Sequence, residues 1–273
     1  MTRAAIALCL LAAPVPAFAQ AGDPAVQQIG PPGFERELST DRPDKTESPF
    51  TVPGGRFQIE TDVAAYTRDR SSGVLTETLA LATTNLKLGI GDDTDLQLIV
   101  EPYLRRTDAD GRSGARRTVD GIGDVTVRLK HNLWGNDGGR TALAVMPFLK
   151  LPTNSGDLGA GRAEFGVIVP LAISLSDRVN LGLMTEIDLI EESDGRGYRA
   201  SFINSATLGL ALTERLGLYA ELFTERGDAW VVTGDVGLTY AVGDNTQLDV
   251  GANVGVTRAA DDLTVFMGIS RRF

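Results

Sequence analysis

Alternation of polarity constrains this chain more than any other feature. From Arg56 to Phe273, stretches in which apolar and polar residues take turns succeed one another, and the links between them are short and long by turns. The short links fall at 91–95, 135–139, 176–179, 213–215 and 243–246; the longer or more polar ones fall at 68–77, 106–120, 153–162, 191–198, 225–228 and 258–262. A period of two marks strands, because successive side chains of a strand point to opposite faces. Tight turns at one rim and larger loops at the other belong to an up-and-down barrel of the outer-membrane type. A soluble sandwich or barrel alternates too, with its apolar face inward, but its strands are usually shorter, about five or six residues. This chain offers about twelve strands of about ten residues, the length that crosses a bilayer at a tilt. The expected fold class is all-β: a closed antiparallel up-and-down transmembrane β-barrel with a Pro-rich N-terminal extension.

The two faces can be read strand by strand. Phe57, Ile59, Thr61, Val63 and Ala65 oppose Gln58, Glu60, Asp62 and Ala64; Val125, Val127 and Leu129 oppose Asp124, Thr126, Arg128 and Lys130; Leu263, Val265, Met267 and Ile269 oppose Thr264, Gly268 and Ser270. An even strand count puts both chain ends at one rim. Every short turn follows an even-numbered strand, so that rim is the one expected to face the periplasm. Phe165, Phe202 and Trp230 near the long-link end, and Phe57, Tyr240 and Phe273 near the other, stand where two aromatic girdles are expected. Phe273 resembles the aromatic end of the final strand by which bacterial outer-membrane barrels are recognised, so the barrel-assembly machinery is an expected partner, with outer-membrane lipid around the wall.

The first residues carry one positive charge, Arg3, then an apolar run over 4–13 and the small-x-small site Ala17-Phe18-Ala19. Residues 1–19 read as a secretory signal peptide, too short and wrongly flanked for a membrane helix. Cys9, the only cysteine, lies inside it, so the mature chain has no disulfide and no thiolate metal site. Removing Arg3 takes the formal net charge from −10 to −11, which speaks against a nucleic-acid partner. The expected organisation is 1–19 signal peptide, 20–55 periplasmic Pro-rich segment or lumen plug, and 56–273 barrel in the bacterial outer membrane.

If the apolar face meets lipid, the other face lines the lumen. Its acidic members are Glu60, Asp62, Glu101, Asp124, Glu164, Glu186, Asp188, Glu221, Asp235 and Asp249; its basic members are Lys87, Arg128, Lys130 and Lys150. Acidic excess in a pore favours cations or neutral solutes over anions. Opposite charges paired across strands would instead fill the interior and leave a scaffold with no open path. Both readings are open at this point, and the face offers no evident apolar slot. Catalysis has little to stand on. The only histidine, His131, has the apolar-face parity, and no serine stands near it in sequence for a lipase-like pair. The pairs Asp108/Asp110 and Asp261/Asp262, and Asp157, lack the ligand-rich spacing of a calcium loop. No catalytic, cofactor or metal residues are assigned.

Residues 38–53, LSTDRPDKTESPFTVP, differ in kind. Pro43, Pro49 and Pro53 prevent a regular helix or central strand. Asp41, Arg42, Asp44, Lys45 and Glu47 give the segment dense mixed charge, suited to pair with lumen charges as a plug or gate; a plain periplasmic tail is the alternative. The segment also carries a resemblance. Ser39-Thr40-Asp41-Arg42-Pro43-Asp44, Ser48-Pro49 and Val52-Pro53-Gly54-Gly55-Arg56-Phe57 resemble the N-terminal hallmark of the outer-membrane proteins named for the meta-cleavage pathway of phenol degradation. Gly121-Ile122-Gly123-Asp124, Lys150-Leu151-Pro152-Thr153, Leu158-Gly159-Ala160-Gly161 and Tyr219-Ala220-Glu221-Leu222 continue the likeness across the mature chain. The resemblance implies a barrel labelled a transporter, associated in some members with uptake of aromatic compounds, and brings no catalytic residues with it. The expected function is passive passage of small solutes, aromatic compounds such as phenols among them. A structural or lipid-interacting barrel with a filled lumen is the alternative, and an outer-membrane enzyme a distant third.

Overall fold

The computed structural model describes residues 36–192 and 196–273; the expected signal peptide lies outside the described residues. Fourteen strands follow one another: β1 (Phe57–Ser71), β2 (Val74–Gly89), β3 (Thr94–Val100), β4 (Tyr103–Asp110), β5 (Arg116–Gly121), β6 (Val125–Trp134), β7 (Thr141–Leu151), β8 (Glu164–Ser176), β9 (Val179–Glu191), β10 (Tyr198–Ala211), β11 (Leu216–Arg226), β12 (Trp230–Ala241), β13 (Thr246–Gly255) and β14 (Leu263–Arg272). Each pairs antiparallel with its neighbours, and β1 closes the sheet by pairing with both β14 and β2. The closed barrel has twelve wall strands, two of which are each broken into two segments, which accounts for the fourteen. Strand β2 pairs with β3 over its second half and with β4 over its first, so β3 and β4 form one wall strand interrupted at Glu101-Pro102. Strands β5 and β6 are related in the same way across residues 122–124.

The wall is inside-out relative to a soluble protein. Val63, Leu88, Phe202, Leu222, Trp230, Val250 and Met267 are exposed, whereas Lys87, Lys130, Gln58, Gln97, Glu60 and Asp95 are among the largest fully buried side chains. Apolar outer surface on this scale has lipid as its natural solvent, and the soluble alternative falls on this distribution. At the short-link rim the ends meet. The Phe57 and Phe273 rings are 6.4 Å apart, and the Phe273 N–H donates to the Phe57 carbonyl at 2.8 Å.

Two expectations need correction. The link placed at 68–77 is only Ser72-Gly73, and the one at 106–120 is only 111–115, because the polar residues on either side remain extended and paired. Thr78 opposes Thr67, and Thr107 donates to or accepts from Thr118 at 3.1 Å, so polarity here marks strand beyond the apolar band rather than loop. Second, Ala65 does not share a face with Val63. The register against β14 shifts between Asp62 and Ala64, and Ala82 on β2 takes a left-handed φ of 58° at the same height. One extra residue in a strand reverses the parity that follows, so Ala64 and Tyr66 point outward and Ala65 lines the lumen with Phe266, its partner on β14.

Candidate functional site

The site is the lumen and the segment that crosses it. Residues 36–53 leave the short-link rim, run inside the barrel and return to β1, held at each step by wall side chains. At the rim the Arg36 guanidinium reaches Asp137 at 2.6 Å and donates to the Asp92 carbonyl at 2.7 Å. Asp41 sits deepest. Its carboxylate lies 2.5 Å from both Lys87 and Lys130, and accepts the Ser48 N–H at 3.1 Å. Its own N–H donates to Glu60, which in turn pairs with Lys87. Burial acts to raise the Asp41 pKa, but Lys130, Lys87 and Arg128 outweigh it and hold the carboxyl well below the usual carboxylate range.

The rest of the segment spreads around the wall. Arg42 binds Asp62 on β1 at 2.5 Å and Asp249 on β13 at 2.6 Å, with its guanidinium over the Phe266 ring. The Lys45 and Thr46 N–H groups donate to the two oxygens of Glu221 on β11, and Lys45 reaches Asp235 on β12 at 3.3 Å. Glu47 pairs with Arg128 on β6. Asp44 is half-buried against a cavity of about 320 Å³ that Arg42 and Glu47 also line. Three proline-spaced carbonyl and amide groups that no sheet could use find partners of their own. Asn132 donates to the Pro49 carbonyl at 2.8 Å, and the Thr51 and Val52 N–H groups donate to Asn136 and Asp95. Gly89 makes room for this exit, because a Cβ there would collide with the Pro53 and Val52 carbonyls.

The structure thus gathers Glu60, Asp62, Lys87, Arg128, Lys130, Glu221, Asp235 and Asp249 around the segment. The remaining expected lumen residues stand elsewhere. Lys150 pairs with Glu164 at 3.2 Å, and Glu186 and Asp188 lie beside them around a cavity of about 430 Å³ toward the long-link rim. Glu101 and Asp124 serve the wall itself. Glu101 accepts the Asp124 N–H at 2.9 Å where β5 gives way to β6, and Asp124 accepts from Asn154 and from the Ala160 N–H, tying down the link between β7 and β8. His131 faces outward, 2.9 Å from the Thr94 hydroxyl.

The expected lack of an apolar slot is overturned. Met146, Ile168, Met184 and Ile203, on four successive strands, form a buried apolar cluster inside the barrel with Phe148 and Phe223 packed on it. The larger cavity borders it through Phe148, Ile168 and Ile203. These residues share faces with polar ones, Lys150, Glu164, Glu186 and Ser205, so parity alone hides them. Their one sequence signal is that β7 and β9 are apolar on both faces, as in Ala142 to Leu149 and Leu181 to Met184.

The family described as "Putative MetA-pathway of phenol degradation" matches residues 40–273, which take in the crossing segment from Thr40 onward and the whole barrel. Among solved structures, an outer membrane channel from Pseudomonas putida F1 superposes with a TM-score of 0.58 at 13% identity, over 85% of this chain and 99% of that one. The translocator domain of the autotransporter NalP from Neisseria meningitidis superposes with a TM-score of 0.50 at 12% identity, over 82% of this chain and 90% of that one. At such identities the likeness concerns the fold, a closed outer-membrane barrel. No curated protein matches by sequence.

Proposed function

Because the chain belongs to this MetA-pathway phenol-degradation family, we propose that it is an outer-membrane channel through which small solutes, aromatic compounds such as phenols among them, pass by diffusion. The observation that carries the reading is the larger cavity. At about 430 Å³, with Phe148, Ile168 and Ile203 on one side and charged groups on the other, it has the size and mixed lining of a small-molecule site. It opens above a segment held in the lumen by side chains alone, an arrangement that can yield without breaking the wall. The long-link rim faces outward, both described ends of the barrel lie at the periplasmic rim, and residues 36–53 act as the gate. Lipid surrounds the outer apolar band, and the assembly machinery reads the strand that ends at Phe273.

A filled scaffold is the second reading, favoured by the number of wall strands that grip the segment. Liposome swelling separates the two. Purified, heat-modifiable barrel in liposomes should admit phenol-sized neutral solutes faster than protein-free liposomes do; swelling at the protein-free rate would leave the scaffold as the account.

A further inference from the structure

The outer face of the wall carries arginines that nothing on that face answers. Beyond the apolar band β1 and β2 continue as a hairpin, with β4 and β5 beside it, and the Gly111 N–H ties the two tips together by donating to the Gly73 carbonyl at 3.0 Å. Tyr66 points outward, so Arg68 and Arg70 on the same strand do too. The register carries this face across the sheet. Tyr66 opposes Leu79, which opposes Arg105; Arg70 opposes Leu75, which opposes Ala109, and Ala109 opposes Arg116. All four arginines are exposed, and among the described residues none forms an ion pair. The inner face of the same hairpins behaves otherwise: Arg106 pairs with Asp108 at 3.1 Å, and Arg117 with Asp157 at 3.4 Å. On the outer face the strands supply Glu77 and Asp120, and Glu77 accepts the Tyr66 hydroxyl at 2.6 Å. Asp262, in the adjoining link, accepts the Arg70 N–H at 3.1 Å. In a chain of formal net charge −10, this outward patch is cationic.

The neighbours decide what such a patch takes. Leu75, Leu79, Leu263 and Val265 share the face with the arginines, as cross-strand partners of Arg70, Tyr66, Arg68 and Tyr66. The occupant must therefore bring hydrocarbon and negative charge together. A soluble anion or a nucleic acid brings no hydrocarbon; an anionic lipid brings both. The charge is also broad. By strand spacing and rise, Arg68 and Arg105 stand about 12 Å apart and Arg70 and Arg116 about 14 Å, a width that suits a headgroup with more than one phosphate. Guanidinium groups hold phosphate oxygens through paired N–H donors, and basic clusters at a bilayer surface draw anionic lipid.

We propose that this face binds lipid A, the phosphorylated glucosamine lipid of the outer leaflet, with Arg68, Arg70, Arg105 and Arg116 on its phosphates and the leucines against its acyl chains. The site takes the outward orientation of the long-link rim from the reading above and owes nothing to conduction. Native mass spectrometry of the full chain in detergent tests it with three probes: bisphosphorylated lipid A, dephosphorylated lipid A and phosphatidylglycerol. Bisphosphorylated lipid A should bind at least about tenfold tighter than either of the others. The Arg68→Gln/Arg105→Gln variant should lose that preference. The Arg106→Gln/Arg117→Gln variant, with the same charge removed from the inner face, should keep it. Equal affinity for the two forms of lipid A in the native protein overturns the site whether or not a variant folds. So does phosphatidylglycerol binding as tightly as lipid A, or an equal loss in both variants. Labelling of Ala115→Cys on intact cells by a membrane-impermeant maleimide checks the orientation separately; no labelling overturns the orientation and the proposal with it. A lipid A preference in a barrel that gives no liposome swelling keeps this site and removes the channel; swelling without the preference does the reverse.

Discussion

The two halves of this lumen are built from similar residues and behave differently. Toward the short-link rim, buried charges meet partners carried by residues 36–53: Lys87 and Lys130 share Asp41, Asp62 and Asp249 share Arg42, and Glu221 takes two N–H groups. Toward the long-link rim no such segment enters among the described residues, and Glu186, Asp188, Phe148 and Ile168 line a cavity. The wall alone does not explain the contrast, since acidic inner residues run through both halves. What differs is a short strap that supplies cations and amides to one half only. An unpaired buried charge costs several kcal/mol, whereas a paired one breaks roughly even. The wall of the first half thus needs the strap.

The comparison can be broken most strongly at Asp41. Asp41→Asn leaves Lys130 without its carboxylate in a buried site, which should weaken docking of the segment by about 3 kcal/mol. In planar bilayers the fraction of time spent in the higher-conductance state should rise by about two orders of magnitude; an unchanged fraction would mean that the lysines do not hold the strap. Next comes Gly89→Ala. Its Cβ would strike the Pro53 and Val52 carbonyls, and overpacking of this kind costs about 1–3 kcal/mol. Trypsin sensitivity of the segment in the assembled barrel should increase, with the barrel's heat-modifiability retained. The smallest effect is expected at Asn132→Ala, which removes one hydrogen bond to the Pro49 carbonyl at a net cost of about 1 kcal/mol. A modest rise in open time is predicted, and a change as large as that of Asp41→Asn would show that the strap is not gripped where its charges are densest.

How far the sequence could be read follows the same geometry. Alternation placed the inner and outer faces wherever a strand runs without interruption, as in β13 and β14, because lipid and lumen demand opposite chemistry of successive residues. It failed along one belt of the wall. Val63, Ala82, Glu101-Pro102 and residues 122–124 shift the register there, and no residue type announces a bulge at Val63. It also failed where lumen residues are apolar. Met146, Met184 and Ile203 carry the same parity as Glu186 and Ser205, so only the loss of alternation in β7 and β9 signals them. The charged strap was legible from composition, but its partners were not. Arg42 and Asp249 lie 207 residues apart, and nothing local ties one to the other.

The central claim is that residues 36–53 close one half of an otherwise conducting barrel. Single-channel recording of a chain lacking residues 38–51 tests it most directly. The account predicts a barrel that still assembles and conducts in long-lived openings well above the conductance of the full chain. A conductance indistinguishable from that of the full chain would contradict it.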